Sequence, residues 1–147
     1  MFFFFLSRAR SHLLQSLRDA KNGNYALGVK LVRGAYHEQE VARNSQVSIS
    51  PEVGPPVYWT KAETDASFND CARTLVDRIS LDARQNSQPQ ISVLFGTHNT
   101  ESCRLVLSLL EQKGLAKGDA LHGTVCISRS TALRISFGQL FGMLFMP

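Results

Sequence analysis

The feature that most constrains this chain is an alternation. Three times, a stretch with the apolar spacing of a helix is followed by a short run of β-formers. Leu13, Leu14, Leu17 and Ala20 precede a strand predicted over 28–33. Phe68, Cys71, Ala72, Leu75, Val76 and Ile79 recur at the three- and four-residue steps of one buried helix face, and precede Ile91 to Phe95. Cys103, Val106, Leu107 and Leu110 form a third helix face, and Arg134 to Leu140 reads as the third strand. Helix and strand in regular turn predict an α/β fold of parallel strands with covering helices. Parallel strands set their C-terminal ends side by side, so one rim collects whatever those ends carry.

The connections are punctuated as that order requires. Ser11 is a candidate cap for the first helix, and Asn22-Gly23-Asn24 is its stop. His37 to Asn44 has the composition of a turn or two of polar helix. Ser48, Ser50, Pro51, Gly54, Pro55 and Pro56 make 45–56 a loop, with Val57-Tyr58-Trp59 a short extended or helix-entry piece after it. Asn86 to Gln90, with Pro89, separates the long helix from the second strand. Asn99 or Thr100 can cap the third helix, and Gly114 can end it. The weakly patterned 115–130 contains a short strand candidate at Val125-Cys126-Ile127.

The strand ends carry the chemistry. Lys30 and Arg33 interrupt an apolar run, and Gly34, Ala35 and Tyr36 follow them. A cation inside a core strand needs a negative or polar partner. One reading is therefore a binding site at the strand end, as in barrels and doubly wound sheets; the other is an edge strand with solvated cations. Thr97-His98-Asn99 joins the second strand to a helix start, where backbone N–H groups favour an anion and a histidine can donate or accept. The plainer alternative is that Asn99 caps the helix and His98 is only polar. Thr60-Lys61 can reach a phosphate, or be an ordinary surface pair. Trp59 reads as packing rather than as a stacking surface, and His12 and His122 as solvated. Gln139 and Gly142 close the third strand.

Composition removes other classes. Hydrophobic residues make up 44% and charged residues 19%, values of a folded chain. The net charge of +4 is mild and scattered apart from Arg8, Arg10 and Arg18, with no basic stripe interleaved with aromatics, so nucleic acid is not indicated. The three cysteines, Cys71, Cys103 and Cys126, have no metal-site spacing, and Cys71 and Cys103 fall on apolar helix faces, as small core residues of a reducing compartment do. No dinucleotide fingerprint, phosphate loop, zinc helix or nucleophile elbow occurs. Met1 to Leu6 is too short to span a bilayer. With Ser7, Arg8, Arg10 and Ser11 it superficially resembles a mitochondrial presequence, but the helix spacing from Ser11 onward runs straight into the first strand.

Four pieces, in order, resemble the proline dehydrogenase family: Leu27 to Tyr36, Thr60 to Cys71, Phe95 to Asn99, and Phe137 to Met143, with a fungal-like flavour at 101–107. The resemblance implies a distorted (βα)8 TIM-type barrel that binds FAD, oxidises L-proline to 1-pyrroline-5-carboxylate and passes electrons to a quinone. It implies a mitochondrial location on the matrix side of the inner membrane. Lys30 then stands as the catalytic cation beside the flavin N5 edge, where it can stabilise arriving negative charge. Val32, Arg33, Gly34, Ala35, Thr97, His98 and Asn99 line the flavin, Thr60 and Lys61 lie near its phosphates, and Tyr36 and Leu140 lie near the substrate ring. No metal is implied.

The match implies a partial barrel over 11–143, about three parallel strands long, between an irregular 1–10 and an unmatched 144–147. It matches the family from the helix before the fifth strand to just past the seventh. The earlier acidic and lysine strand ends, and the paired arginines that grip the proline carboxylate, have no counterpart in it. Weak or absent flavin binding and no turnover are thus expected of residues 1–147 alone. Two other functions compete: a catalytically inactive half-barrel that pairs through its open strand edges, and a Schiff-base lyase using Lys30.

Overall fold

A computed structural model gives the structure of residues 2–3, 8–34, 39, 42, 57–85, 91–115, 124–125 and 135–138. In chain order these form β1 (Phe2–Phe3), α1 (Ala9–Gly23), β2 (Leu27–Val32), α2 (Lys61–Gln85), β3 (Ile91–Gly96), α3 (Thr100–Gln112), β4 (Thr124–Val125) and β5 (Ile135–Gly138). One sheet runs β1-β2-β3-β5-β4. β2, β3 and β5 are parallel neighbours, as the alternation predicts. Leu27 pairs with Ile91, Val32 with Gly96, and Gly96 with Gly138.

The flanks add two short pairings. Phe2–Phe3, in the stretch expected to be irregular, runs parallel to β2, with Phe2 opposite Val29. β4 begins one residue before the expected Val125 to Ile127 and lies antiparallel to β5. Cys126, Ile127, Arg134, Gln139, Leu140 and Gly142 lie outside the described residues, as do the proposed turn over 37–44 (Gln39 and Ala42 excepted), the 45–56 loop and the 86–90 break.

The strands sort their residues by parity, because successive side chains point to opposite faces. Leu27, Val29 and Leu31 of β2, Ile91, Val93 and Phe95 of β3, and Ile135 of β5 are buried. They pack with Leu13 of α1, the Phe68, Cys71, Ala72, Leu75, Val76 and Ile79 face of α2, and Val106 and Leu110 of α3. Phe95 anchors this layer. Its ring meets Phe68 edge-on at 6.3 Å and Phe137 at 5.6 Å. Lys30, Val32, Ser92, Leu94, Ser136 and Gly138, at even positions, are half-buried on the other face. Among the described residues no helix covers that face.

The helix ends follow local chemistry. α1 starts earlier than Ser11. Its N-cap position is Arg8, and the Ser11 hydroxyl, already inside the first turn, donates to the Arg8 carbonyl at 2.9 Å. Asn24 ends α1 in the left-handed conformation, as its Asn-Gly-Asn wording suggests. α3 ends through Gly114 at φ 69°; there the Gly114 N–H bonds the Glu111 carbonyl, the Leu115 N–H bonds that of Leu110, and both leucines are buried. Ion pairs tie the helices together: Arg10 to Asp70 between α1 and α2, and Lys113 to Asp77 at 2.6 Å between α3 and α2.

Candidate functional site

The rim at the C-terminal ends of β2 and β3 is held by backbone first. The Arg33 N–H continues the ladder past β2 to the Gly96 carbonyl at 2.9 Å. Beyond it Gly34 takes φ +69°, a left-handed conformation that favours glycine. Lys30 and Arg33 then part. They are three residues apart on an extended chain, so they face opposite sides of the sheet. Lys30 lies on the uncovered face, across from Leu94. Arg33 turns to the helix layer, where its Nε donates to Asp65 Oδ1 at 2.5 Å; the two side chains are 16% and 21% exposed.

Asp65 gathers the rest of the rim. Its Oδ2 accepts from Lys61 Nζ at 2.8 Å and from Asn99 Nδ2 at 3.1 Å. One carboxylate of α2 thus joins the end of β2, the start of α2 and the head of α3. Burial disfavours the charged carboxylate, but the Lys61 and Arg33 contacts outweigh it and hold the group below its ordinary 3.8. Asp65 is the site residue that the strand-end reasoning missed. A lone Asp one turn into a helix has no motif, although the Lys61–Asp65 spacing of one turn is visible in the sequence.

Asn99 is tied at both ends. Its Oδ1 accepts from the Glu101 and Ser102 N–H groups at 2.9 and 3.3 Å, the N-cap arrangement, while its Nδ2 reaches Asp65. Those partners fix the orientation of the amide. Asn99 therefore braces the site, whatever else its backbone contacts. Thr97 Oγ1 accepts the Asn99 N–H at 3.0 Å, and His98 is exposed beside it. Thr60 is similarly engaged. Thr60 and Glu63 form a reciprocal capping box, with the Glu63 N–H on Thr60 Oγ1 at 3.2 Å and the Thr60 N–H on Glu63 Oε2 at 3.0 Å. The Thr-x-x-Glu spelling announces this box. Trp59, expected to pack, is 69% exposed on the same rim as Lys61.

On the uncovered face, Val32, Gly96 and Gly138 stand in one cross-strand row. A Cβ on Gly96 would come 3.3 Å from Val32 Cγ2, and one on Gly138 3.2 Å from Leu94 Cδ1. The two glycines keep that row low and apolar, with Lys30 in the next row of the same face. A flat ring can lie on such a floor with a cation at its edge. Ala35, Tyr36 and Leu140 lie outside the described residues. Among those residues no three His, Cys, Asp or Glu side chains group as a metal site, and no helix is long and apolar enough to cross a membrane.

Known proteins resemble this chain along nearly all its length. The family model described as Proline dehydrogenase matches residues 4–144. "Proline dehydrogenase 2, mitochondrial" of Arabidopsis thaliana is 29% identical over 95% of the chain and 24% of its own length. "Proline dehydrogenase 1, mitochondrial" of Homo sapiens is 28% identical over 95% and 19%. "Hydroxyproline dehydrogenase" of Rattus norvegicus is 29% identical over 95% and 25%. The chain thus spans about a quarter or less of the length of these curated relatives. With a match over residues 4–144, the chain belongs to the proline dehydrogenase family.

Proposed function

We propose that this chain supplies part of the flavin-binding side of a mitochondrial enzyme that oxidises L-proline to 1-pyrroline-5-carboxylate and passes the electrons to a quinone at the matrix side of the inner membrane. The observation that carries the reading is Lys30 on the uncovered face of a parallel sheet, beside the low Val32–Gly96–Gly138 row, in a chain of this family. The sheet β2-β3-β5 is read as one arc of a (βα)8 barrel, with the uncovered face turned to its interior.

The residues fit a flavin. The glycine row is a cradle that two methyl groups would crowd, and the neighbouring row offers Lys30 as a fixed positive charge. When bound, FAD supplies the ring that accepts two electrons from the substrate. Lys30 would lower the energy of the negative charge that develops there. Val32 and Leu94 would exclude water from the ring's underside. Gly34 leaves the backbone approachable at the rim, Thr97 and His98 stand along it, and Ala35 would join them in lining the ring. Lys61, exposed at the head of α2 with its Nζ on Asp65, would lend its charge to the FAD phosphates. Tyr36 and Leu140 would bound the proline ring. No protein nucleophile is required.

The test is Lys30→Met in the protein that carries this chain, with anaerobic flavin reduction by proline followed in stopped flow. The rate should fall about tenfold or more, while half-saturation by proline changes little. Equal loss of both would remove Lys30 from the chemistry. Borohydride trapping of a carbonyl adduct on Lys30 would replace the flavin reading with imine chemistry.

A further inference from the structure

We propose that Asp65 is a positioning residue of the rim. Its carboxylate fixes the Arg33 guanidinium on the helix side of the sheet and braces Asn99 at the head of α3, so that Lys30 is the cation presented to a ring lying on the glycine row. The part that concerns the flavin rests on the proposed function; the part that concerns Arg33 does not.

Three observations carry it. First, the contacts join separate elements. Arg33 and Asn99 come from the ends of β2 and β3, and neither is a neighbour of Asp65 in sequence. The Lys61 contact is different in kind, an exposed pair one helical turn apart, of small worth alone. Second, both carboxylate oxygens are engaged, Oδ1 by Arg33 and Oδ2 by Lys61 and Asn99. The group stays ionised and is a tie rather than a base. Third, Lys30 and Arg33 lie on opposite faces of a strand end only three residues long, and beyond Arg33 the backbone turns at Gly34. A guanidinium released from Asp65 has the length to swing round that end and compete with Lys30 for negative charge.

The arrangement separates field from position by sign. Asp65→Asn removes one negative charge from the rim. If only the summed charge mattered, an anionic ligand such as FAD would bind more tightly. If position matters, it binds less tightly, because the freed Arg33 side chain must be ordered again on binding.

The readouts are the Arg33 Nε–H resonance, by nitrogen-15 NMR, and quenching of Trp59 emission by FAD. Trp59 is the single tryptophan of the sequence and stands on this rim. In the full chain the Arg33 signal should exchange slowly. In Asp65→Asn it should exchange about tenfold faster or more with an unchanged circular dichroism spectrum, and Asp65→Glu should restore part of the protection. FAD affinity should drop about five- to tenfold in Asp65→Asn, yet differ little between Arg33→Met and the Arg33→Met/Asp65→Asn double variant, because Asp65 acts through Arg33. Unchanged Arg33 exchange, or tighter FAD binding in Asp65→Asn, overturns the proposal. Absent quenching by FAD in the unaltered chain is the weak binding expected of a partial barrel, and the Arg33 signal then decides the role of Asp65 by itself. Should Asp65→Asn not fold, acid titration of the unaltered chain decides it: the Arg33 shift must follow a titration whose midpoint lies below the ordinary carboxylate value of 3.8, and a shift insensitive to acid overturns the tie.

Discussion

Asn99 offers a graded test of how the rim is braced. Two separable contacts meet in its amide: Oδ1 caps α3 through the Glu101 and Ser102 N–H groups, and Nδ2 donates to Asp65. Loss of an N-cap costs about 1 kcal/mol. A hydrogen bond to a charged group is worth about 1.5–3 kcal/mol, and the half-buried setting here puts it near the low end. Asn99→Ala loses both and should destabilise by about 2–3 kcal/mol, or about 5–10 °C in melting temperature for a chain of this size. Asn99→Ser keeps a cap and loses only the Asp65 contact, so it should cost about 1–1.5 kcal/mol. Asn99→Asp keeps the cap and suits the helix dipole, but sets a carboxylate oxygen where Nδ2 now stands, 3.1 Å from Asp65 Oδ2. Like-charge contact raises the introduced group's folded-state pKa above its unfolded value. Its penalty is therefore small below the unfolded value and grows as pH rises through the folded one. The assay is urea unfolding followed by circular dichroism at pH 4 and pH 7. If Asn99→Asp equals or exceeds the unaltered chain at pH 7, the amide does not face Asp65 and the bracing argument fails.

Two further outcomes are expected. The Cys71 thiol, fully buried and pushed up to about 11 by that burial with Asp70 adding to it, should resist iodoacetamide at pH 8 in the folded chain and react in urea, as peptide mass mapping will show; because its folded value is raised, its share of stability should be complete below 9.0 and decline as pH rises toward about 11. Thr60→Ala breaks the capping box at the head of α2 and should cost about 1 kcal/mol in urea unfolding, whereas Thr60→Ser should restore most of it.

What the sequence made legible was periodicity. The α2 face from Phe68 to Ile79 and the strands at 91–96 and 135–138 stand where apolar spacing puts them, and their order alone implies parallel pairing. The rim was legible only as a place. Lys30 and Arg33 read as one cationic pair from composition, yet the two-residue period of a strand already separates their faces. Asn99 was visible as a cap, but its second bond depends on Asp65, which α2 brings in from a distant part of the chain. No local pattern encodes that meeting. Trp59 fails in the other direction: large aromatic residues usually find a core, and this one lies on the rim instead.

The parallel register has a kinetic consequence. Leu27 cannot meet Ile91 until the intervening chain, α2 included, has been looped back, and this ordering must precede any gain from the ladder. α2 and α3 are hydrogen-bonded within themselves and pack on each other, so they need no such closure. The rim draws on β2, α2 and β3 together, which places its assembly late. Substitutions at Arg33, Asp65 or Asn99 should consequently leave refolding rates almost unchanged and express their cost as faster unfolding. In this chain the lifetime of the folded state, rather than the speed of reaching it, registers the integrity of the site.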